Sequence, residues 1–142
     1  TGSEKKVYEQ LLKKGCIVWK RYFENIEEIY ALSDCYIFPT IQKYSIAGRP
    51  IVGSIEMPLS VLEAMACNLP VVTTRFGALP RAFEEGDGII FAEREEEFIN
   101  AVEKIKNTDI NVKTREKVLP FAWENIVGRL EEIYEELLNE RT

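Results

Sequence analysis

The sequence predicts an α/β fold, a parallel sheet with helices on both faces. Four short apolar segments, at residues 16–19, 35–38, 71–74 and 88–91, are too brief for helices and rich in strand formers. Their residues are mostly apolar without polar alternation, the pattern of strands covered on both sides. Helix-period segments lie between them, and that alternation points to parallel strands.

Each element follows from local signals. Ser3 is read as a helix cap ahead of Val7, Tyr8, Leu11 and Leu12 at helical spacing, and Lys13, Lys14 and Gly15 supply the stop. The 16–19 segment is the first expected strand. Asn25 with Glu28 three residues on has capping-box spacing, and Ile26, Ile29, Tyr30 and Leu32 form the apolar face of a second helix. The 35–38 strand is stopped by Pro39. Residues 40–57, with Gly48, Pro50 and Gly53, read as a long loop, of the kind that is usually functional or mobile.

Pro58 opens a helix running to Cys67, with Asn68 as its left-handed terminator and Pro70 blocking continuation. The strands at 71–74 and 88–91 follow. Glu93, Glu95, Glu96 and Glu97 crowd the positive end of a helix whose apolar positions are Phe98, Val102 and Ile105. A short helix near 114–119 leads to the last one, whose apolar residues from Trp123 to Leu138 keep a 3.6-residue rhythm. On that helix Glu131 with Glu135, and Glu132 with Glu136, are like-charge pairs at four-residue spacing, costing a few tenths of a kcal/mol each. A solvated face and a basic partner are both compatible with them.

Composition limits the chemistry. A chain of 142 residues has the size of one domain and, folded, buries roughly two-thirds of its unfolded surface. There is no histidine, which excludes from this chain Ser-His-Asp and Cys-His nucleophile activation and His-ligated metal sites. The net charge of −6 disfavours nonspecific binding to nucleic acid or anionic membrane. Cys16, Cys35 and Cys67 are an odd number, widely spaced, and read as buried free thiols of a reducing cytoplasm. No signal sequence or membrane span is visible. The expected location is cytoplasmic, with membrane association through parts outside this sequence left open. The absence of an initiator Met suggests a processed chain or an excised fragment.

Open parallel sheets bind ligands at the carboxyl ends of their strands, so the loops after Phe38 and Thr74 are the places to look. The helix from Pro58 to Cys67 is apolar nearly all round, with only Ser60 and Glu63 polar, and is expected to be buried. Two readings of those residues stand. Ser60 and Glu63 have capping-box spacing, although Pro58 prefers the first helical position and would place Ser60 inside the turn. Alternatively, free N–H groups around residues 58–61 face a phosphate at the positive helix end. Glu63 and Glu56 then accept hydrogen bonds from ligand hydroxyls.

A resemblance rests on Asp-Cys-Tyr-Ile-Phe-Pro-Thr (34–40), Pro-Leu-Ser-Val-Leu-Glu-Ala-Met-Ala-Cys-Asn-Leu-Pro-Val-Val-Thr-Thr (58–74), Phe-Gly-Ala-Leu-Pro (76–80), Glu-Gly-Asp-Gly-Ile-Ile-Phe (85–91) and Trp123-Glu124-Asn125. These segments resemble the C-terminal domain of GT-B retaining glycosyltransferases of the group 1, or family 4, type. The resemblance spans essentially the whole sequence; Leu-Glu-Ala-Met-Ala followed by Pro-Val-Val is its most specific part.

The resemblance implies a Rossmann-like domain that binds a nucleotide diphosphate sugar without a metal or other cofactor. Its partner is a similar N-terminal domain, and the cleft between them holds the acceptor, here an unidentified sugar, lipid or small molecule. Of the family's two signature glutamates, the second, which holds the ribose hydroxyls, matches Glu63. The first, associated with the donor sugar, falls at Ile55; the available carboxylate is Glu56, one residue later, and is the candidate catalytic residue. Leu59, Ser60 and Val61 supply the phosphate-facing amides, since Pro58 has no N–H. Tyr22 and Phe23 fall on the base-side loop, where a packing role is equally open. The family's Gly-Gly turn with a Glu three residues on is here Gly77-Ala78 followed by Arg81, which reads as a surface residue.

The family domain begins with a strand, a Gly-Arg turn, a helix and a second strand before the segment that Gly2-Ser3-Glu4 resembles. Residues 1–142 are therefore expected to be a partial donor-binding domain, with the first strands missing and inactive alone. The alternative is a non-catalytic nucleotide- or sugar-phosphate-binding module. A receiver-like domain fits the α/β pattern but not the chemistry, because Asp34 stands at the start of a strand.

Overall fold

The computed structural model describes residues 2–40 and 56–140. Three strands, β1 (Tyr36–Phe38), β2 (Val71–Thr73) and β3 (Ile89–Phe91), form a parallel sheet in the order β1-β2-β3. The register aligns Tyr36 with Val71 and Ile89, and Phe38 with Thr73 and Phe91. The helices are α1 (Gly2–Lys13), α2 (Ile26–Ala31), α3 (Leu59–Ala66), α4 (Leu79–Ala82), α5 (Glu95–Asn107), α6 (Thr114–Val118) and α7 (Trp123–Asn139), with a 3-10 turn at Leu119–Phe121.

Helices lie on both faces, as the unalternating strands require. On one face Val61, Ala64 and Met65 of α3 pack with Tyr30, Val71, Ile89, Val118, the turn residue Phe76 and Leu79 of α4. On the other, Val72, Ala92 and Ala101 are buried with Ile90, Phe98 and Ile105, which seats α5. The Thr114 hydroxyl donates to the Leu69 carbonyl at 2.8 Å, tying α6 to the entry of β2. Asn68 adopts the expected left-handed conformation at φ 57°. Its side chain accepts from the Arg115 N–H at 3.2 Å and donates to the Val112 carbonyl at 3.2 Å.

Several local expectations are corrected. No strand forms at 16–19, where Ile17 and Trp19 are 78% and 53% exposed. A strand needs a neighbour to take its hydrogen bonds, and none of the described strands lies beside it. Cys16 is consequently exposed; Cys35 and Cys67 are only half-buried, and all three thiols are free. Ser3 lies inside α1, which begins at Gly2, while Gly15 does end that region at φ 81°. Asn25 is the N-cap of α2 but makes no capping bond; its amide donates to the Glu28 carboxylate at 3.4 Å instead. The α5 start is closed by Glu97, which accepts from the N–H groups of Glu93 at 2.8 Å and Arg94 at 3.2 Å. Those bonds, with Arg94, hold its carboxyl below the usual range. The short α4 had no clear sequence signal.

The last helix keeps its rhythm without burying it. No residue of α7 is buried, and Trp123, Ile126, Leu130, Ile133 and Leu137 leave an apolar stripe in water. The Asn125 side chain donates to the Leu119 carbonyl at 2.7 Å, fixing the start of the helix to the 3-10 turn. No described helix is long and apolar enough to cross a membrane. The expected 40–57 loop, including Gly48, Pro50, Gly53 and Ile55, lies outside the described residues except for Thr40, Glu56 and Met57.

Candidate functional site

The carboxyl ends of the three strands lead into Pro39-Thr40, Thr74-Arg75 and Ala92-Glu93, which are cross-linked. The Thr74 hydroxyl donates to the Thr40 carbonyl, and the Arg75 N–H donates to Glu93 Oε1 at 2.9 Å. The Arg75 guanidinium lies 4.6 Å over the Phe91 ring. An open pocket of about 340 Å³ at this edge is lined by Ile37, Pro39, Thr74, Glu93, Arg94 and Phe98. A larger cavity of about 640 Å³ lies at the opposite end of the sheet, beside Asp34, Cys35 and Pro70. Cavity size therefore does not locate a ligand site here, and the position of α3 is the better guide.

The N-terminus of α3 is uncapped. Pro58 is its N-cap rather than its first residue, with extended backbone and no side-chain bond to the helix. The first turn takes one amide back, since the Val61 N–H donates to the Pro58 carbonyl at 3.1 Å. The Val61 side chain is in the core. The Val61 amide, third of the expected anion-facing donors, is thus engaged within the turn. The N–H groups of Leu59 and Ser60 have no acceptor among the described residues, as the first amides of a helix generally do not. Leu59 is 70% exposed, so this end of the expected buried helix is open to solvent.

Ser60 and Glu63 do not cap the helix. The Ser60 hydroxyl accepts from Tyr36 Oη at 2.8 Å, and Glu63 Oε2 accepts from Tyr30 Oη at 3.1 Å. The two tyrosine rings meet edge to face, with centroids 5.8 Å apart. Tyr30 is buried, so its ring is part of the core while its hydroxyl reaches the helix surface. Burial, and then the hydrogen bond to Glu63, push its phenol well above the ordinary value. Both effects favour the protonated, donating form of the hydroxyl. Glu63 itself is exposed beside an apolar groove of about 310 Å³ lined by Leu62, Ala66, Val118, Leu119 and Phe121. Composition gave no hint of this pair of tyrosines, because both sit at positions that an apolar helix face and a strand already explain.

Glu56 is held from the other side. The Ala78 N–H donates to the Glu56 carbonyl at 2.7 Å. Gly77, at φ 55°, passes so close that a Cβ there would run into the same carbonyl oxygen. Arg81 Nη2 lies 2.9 Å from Glu56 Oε2. Arg81 is thus exposed, as read, but not unengaged. Tyr22 is 87% exposed. Phe23 packs edge to face on Trp19 at 5.2 Å and under the Arg21 guanidinium. No hydrogen bond or ring contact among the described residues joins Tyr22 or Phe23 to α3. Nor does any cluster of three or more Cys, Asp or Glu side chains among them form a metal-binding group.

A family model described as glycosyl transferases group 1 matches residues 1–107. The chain belongs to that family. No curated protein matches the chain. Among solved structures, sucrose-phosphate synthase from Thermosynechococcus elongatus is similar, with a TM-score of 0.70 and 18% sequence identity. The likeness covers 98% of this chain and 35% of that one, so the chain spans about a third of that protein's length. At this identity the likeness is one of fold, and it agrees with the GT-B, Rossmann-like architecture of the parallel sheet.

Proposed function

We propose that this chain supplies the donor-binding side of a retaining glycosyltransferase, which moves a sugar from a nucleotide diphosphate sugar to a sugar, lipid or small-molecule acceptor. The carrying observation is the uncapped start of α3, where the free N–H groups of Leu59 and Ser60 precede Glu63 and its fixed carboxylate. Free amides at a positive helix end suit a diphosphate, and a carboxylate less than one turn on suits vicinal ribose hydroxyls, which it can accept two at a time. Glu56, before the helix, is the candidate for the donor sugar. By the family resemblance, the cations that neutralise the leaving diphosphate are assigned to the first strands of this same donor-binding domain, and the acceptor site to the N-terminal domain of the full protein.

Calorimetric titration of the full-length protein with UDP, GDP and ADP tests the reading. One of them binds, and Glu63→Gln weakens it about tenfold, the loss of one hydrogen bond to a charged group. Failure of all three to bind sinks the donor site. A non-catalytic binding module is distinguished by Glu56→Ala in the full-length protein: unchanged sugar transfer removes the catalytic role of Glu56, and absence of transfer by the unmodified protein favours the module.

A further inference from the structure

Two departures from the family pattern meet in space. The carboxylate expected at position 55 is found one residue later, at Glu56, and the glutamate expected after the glycine turn is replaced by Arg81. These two residues form an ion pair at 2.9 Å. A glutamate at position 81 would set a second negative charge against Glu56; a guanidinium there attracts it.

We propose that Arg81 is the positioning residue for Glu56, and thereby a determinant of how the donor sugar is held. The backbone of Glu56 is already fixed by the Ala78 N–H and by the close approach of Gly77. What remains free is the side chain, and Arg81 holds one of its oxygens. Among the described residues the other, Oε1, has no partner and is available to a sugar hydroxyl. Both side chains are largely exposed, 74% for Arg81 and 70% for Glu56, and an ion pair so exposed adds little to folding stability. Its effect therefore falls on the orientation of the carboxylate. The proposal rests on the donor-site reading above, because it assigns Glu56 to the sugar and α3 to the nucleotide.

The test separates those two halves of the ligand. The full-length protein is titrated with UDP and UDP-glucose, ADP and ADP-glucose, and GDP and GDP-mannose, and the pair that binds is carried through the variants. Arg81→Ala weakens the nucleotide sugar about three- to fivefold and leaves the sugar-free diphosphate and the melting temperature unchanged. Arg81→Lys recovers most of the loss, since it restores the charge. Glu56→Gln gives a similar loss, and adding Arg81→Ala to it costs nothing further, because Arg81 acts through Glu56. Equal losses for both ligands, no loss for either, or a further loss in the double variant overturns the proposal. If no diphosphate binds the unmodified full-length protein, the donor site itself fails and the role of Arg81 falls with it. If the diphosphates bind but the sugar makes no difference to affinity, the donor site stands and only the Arg81 proposal is lost.

Discussion

Glu63 and Glu56 are both exposed carboxylates, one on α3 and one just before it, but they are held in opposite ways. Glu63 rides on a helix anchored by Val61, Ala64 and Met65, and its partner is a neutral hydroxyl whose ring is in the core. Glu56 sits on irregular backbone, and its partner is a charged side chain standing in solvent. The first arrangement draws its precision from packing, which is insensitive to salt and pH near neutrality. The second draws it from the close backbone approach at Gly77 and an ion pair that ions screen over a Debye length of about 10 Å at 0.1 M. One carboxylate is built into the domain; the other is placed by a turn that a few substitutions can retune.

Substitution at the Gly77 turn carries the heaviest cost. Gly77→Ala meets both a left-handed backbone and the Glu56 carbonyl, and is expected to cost about 1–3 kcal/mol in denaturant unfolding. It also lowers affinity for the nucleotide sugar more than for the diphosphate. A Gly77→Ala chain as stable as the original shows that the turn does not clamp Glu56. A smaller change sharpens the other side. Tyr30→Phe keeps the ring and removes the hydroxyl, with an expected cost of about 1 kcal/mol. Preference for a ribonucleoside diphosphate over its 2′-deoxy analogue should fall several-fold, because Glu63 loses its fixed orientation. An unchanged preference separates Tyr30 from ribose binding.

Much of this architecture was legible because strong local signals agreed with the tertiary structure. Pro39 and Pro70 bracket β1 and β2, Asn68 ends α3 in the left-handed conformation, and the residues of β2 are apolar or small because both faces are covered. The 16–19 segment has equally good strand composition and forms none, since pairing depends on a neighbour that composition does not specify. At the site, Glu63 was visible as the one carboxylate on an apolar helix. The Ser60–Glu63 spacing suggested a cap, but Pro58 occupies the N-cap position and leaves both side chains to the tyrosines. Tyr30 and Arg81 were not visible as site residues: each looked ordinary in its own element, and its role comes from a partner 33 or 25 positions away.

The central position of β2 also has a meaning in time. Its three residues are fully buried and hydrogen-bonded to strands on both sides, with the Val71 N–H donating to the Gly88 carbonyl at 2.7 Å. Their amides can meet solvent only when the whole sheet opens, whereas amides in the ends of α7 are released by fraying alone. In deuterated water residues 71–73 should therefore exchange last, at a rate that reports global unfolding, and the ends of α7 first. Slowing of exchange at Leu59 and Ser60 on adding a diphosphate, while residues 71–73 change only by the global stabilisation, would time the ligand's arrival at α3 against that internal clock.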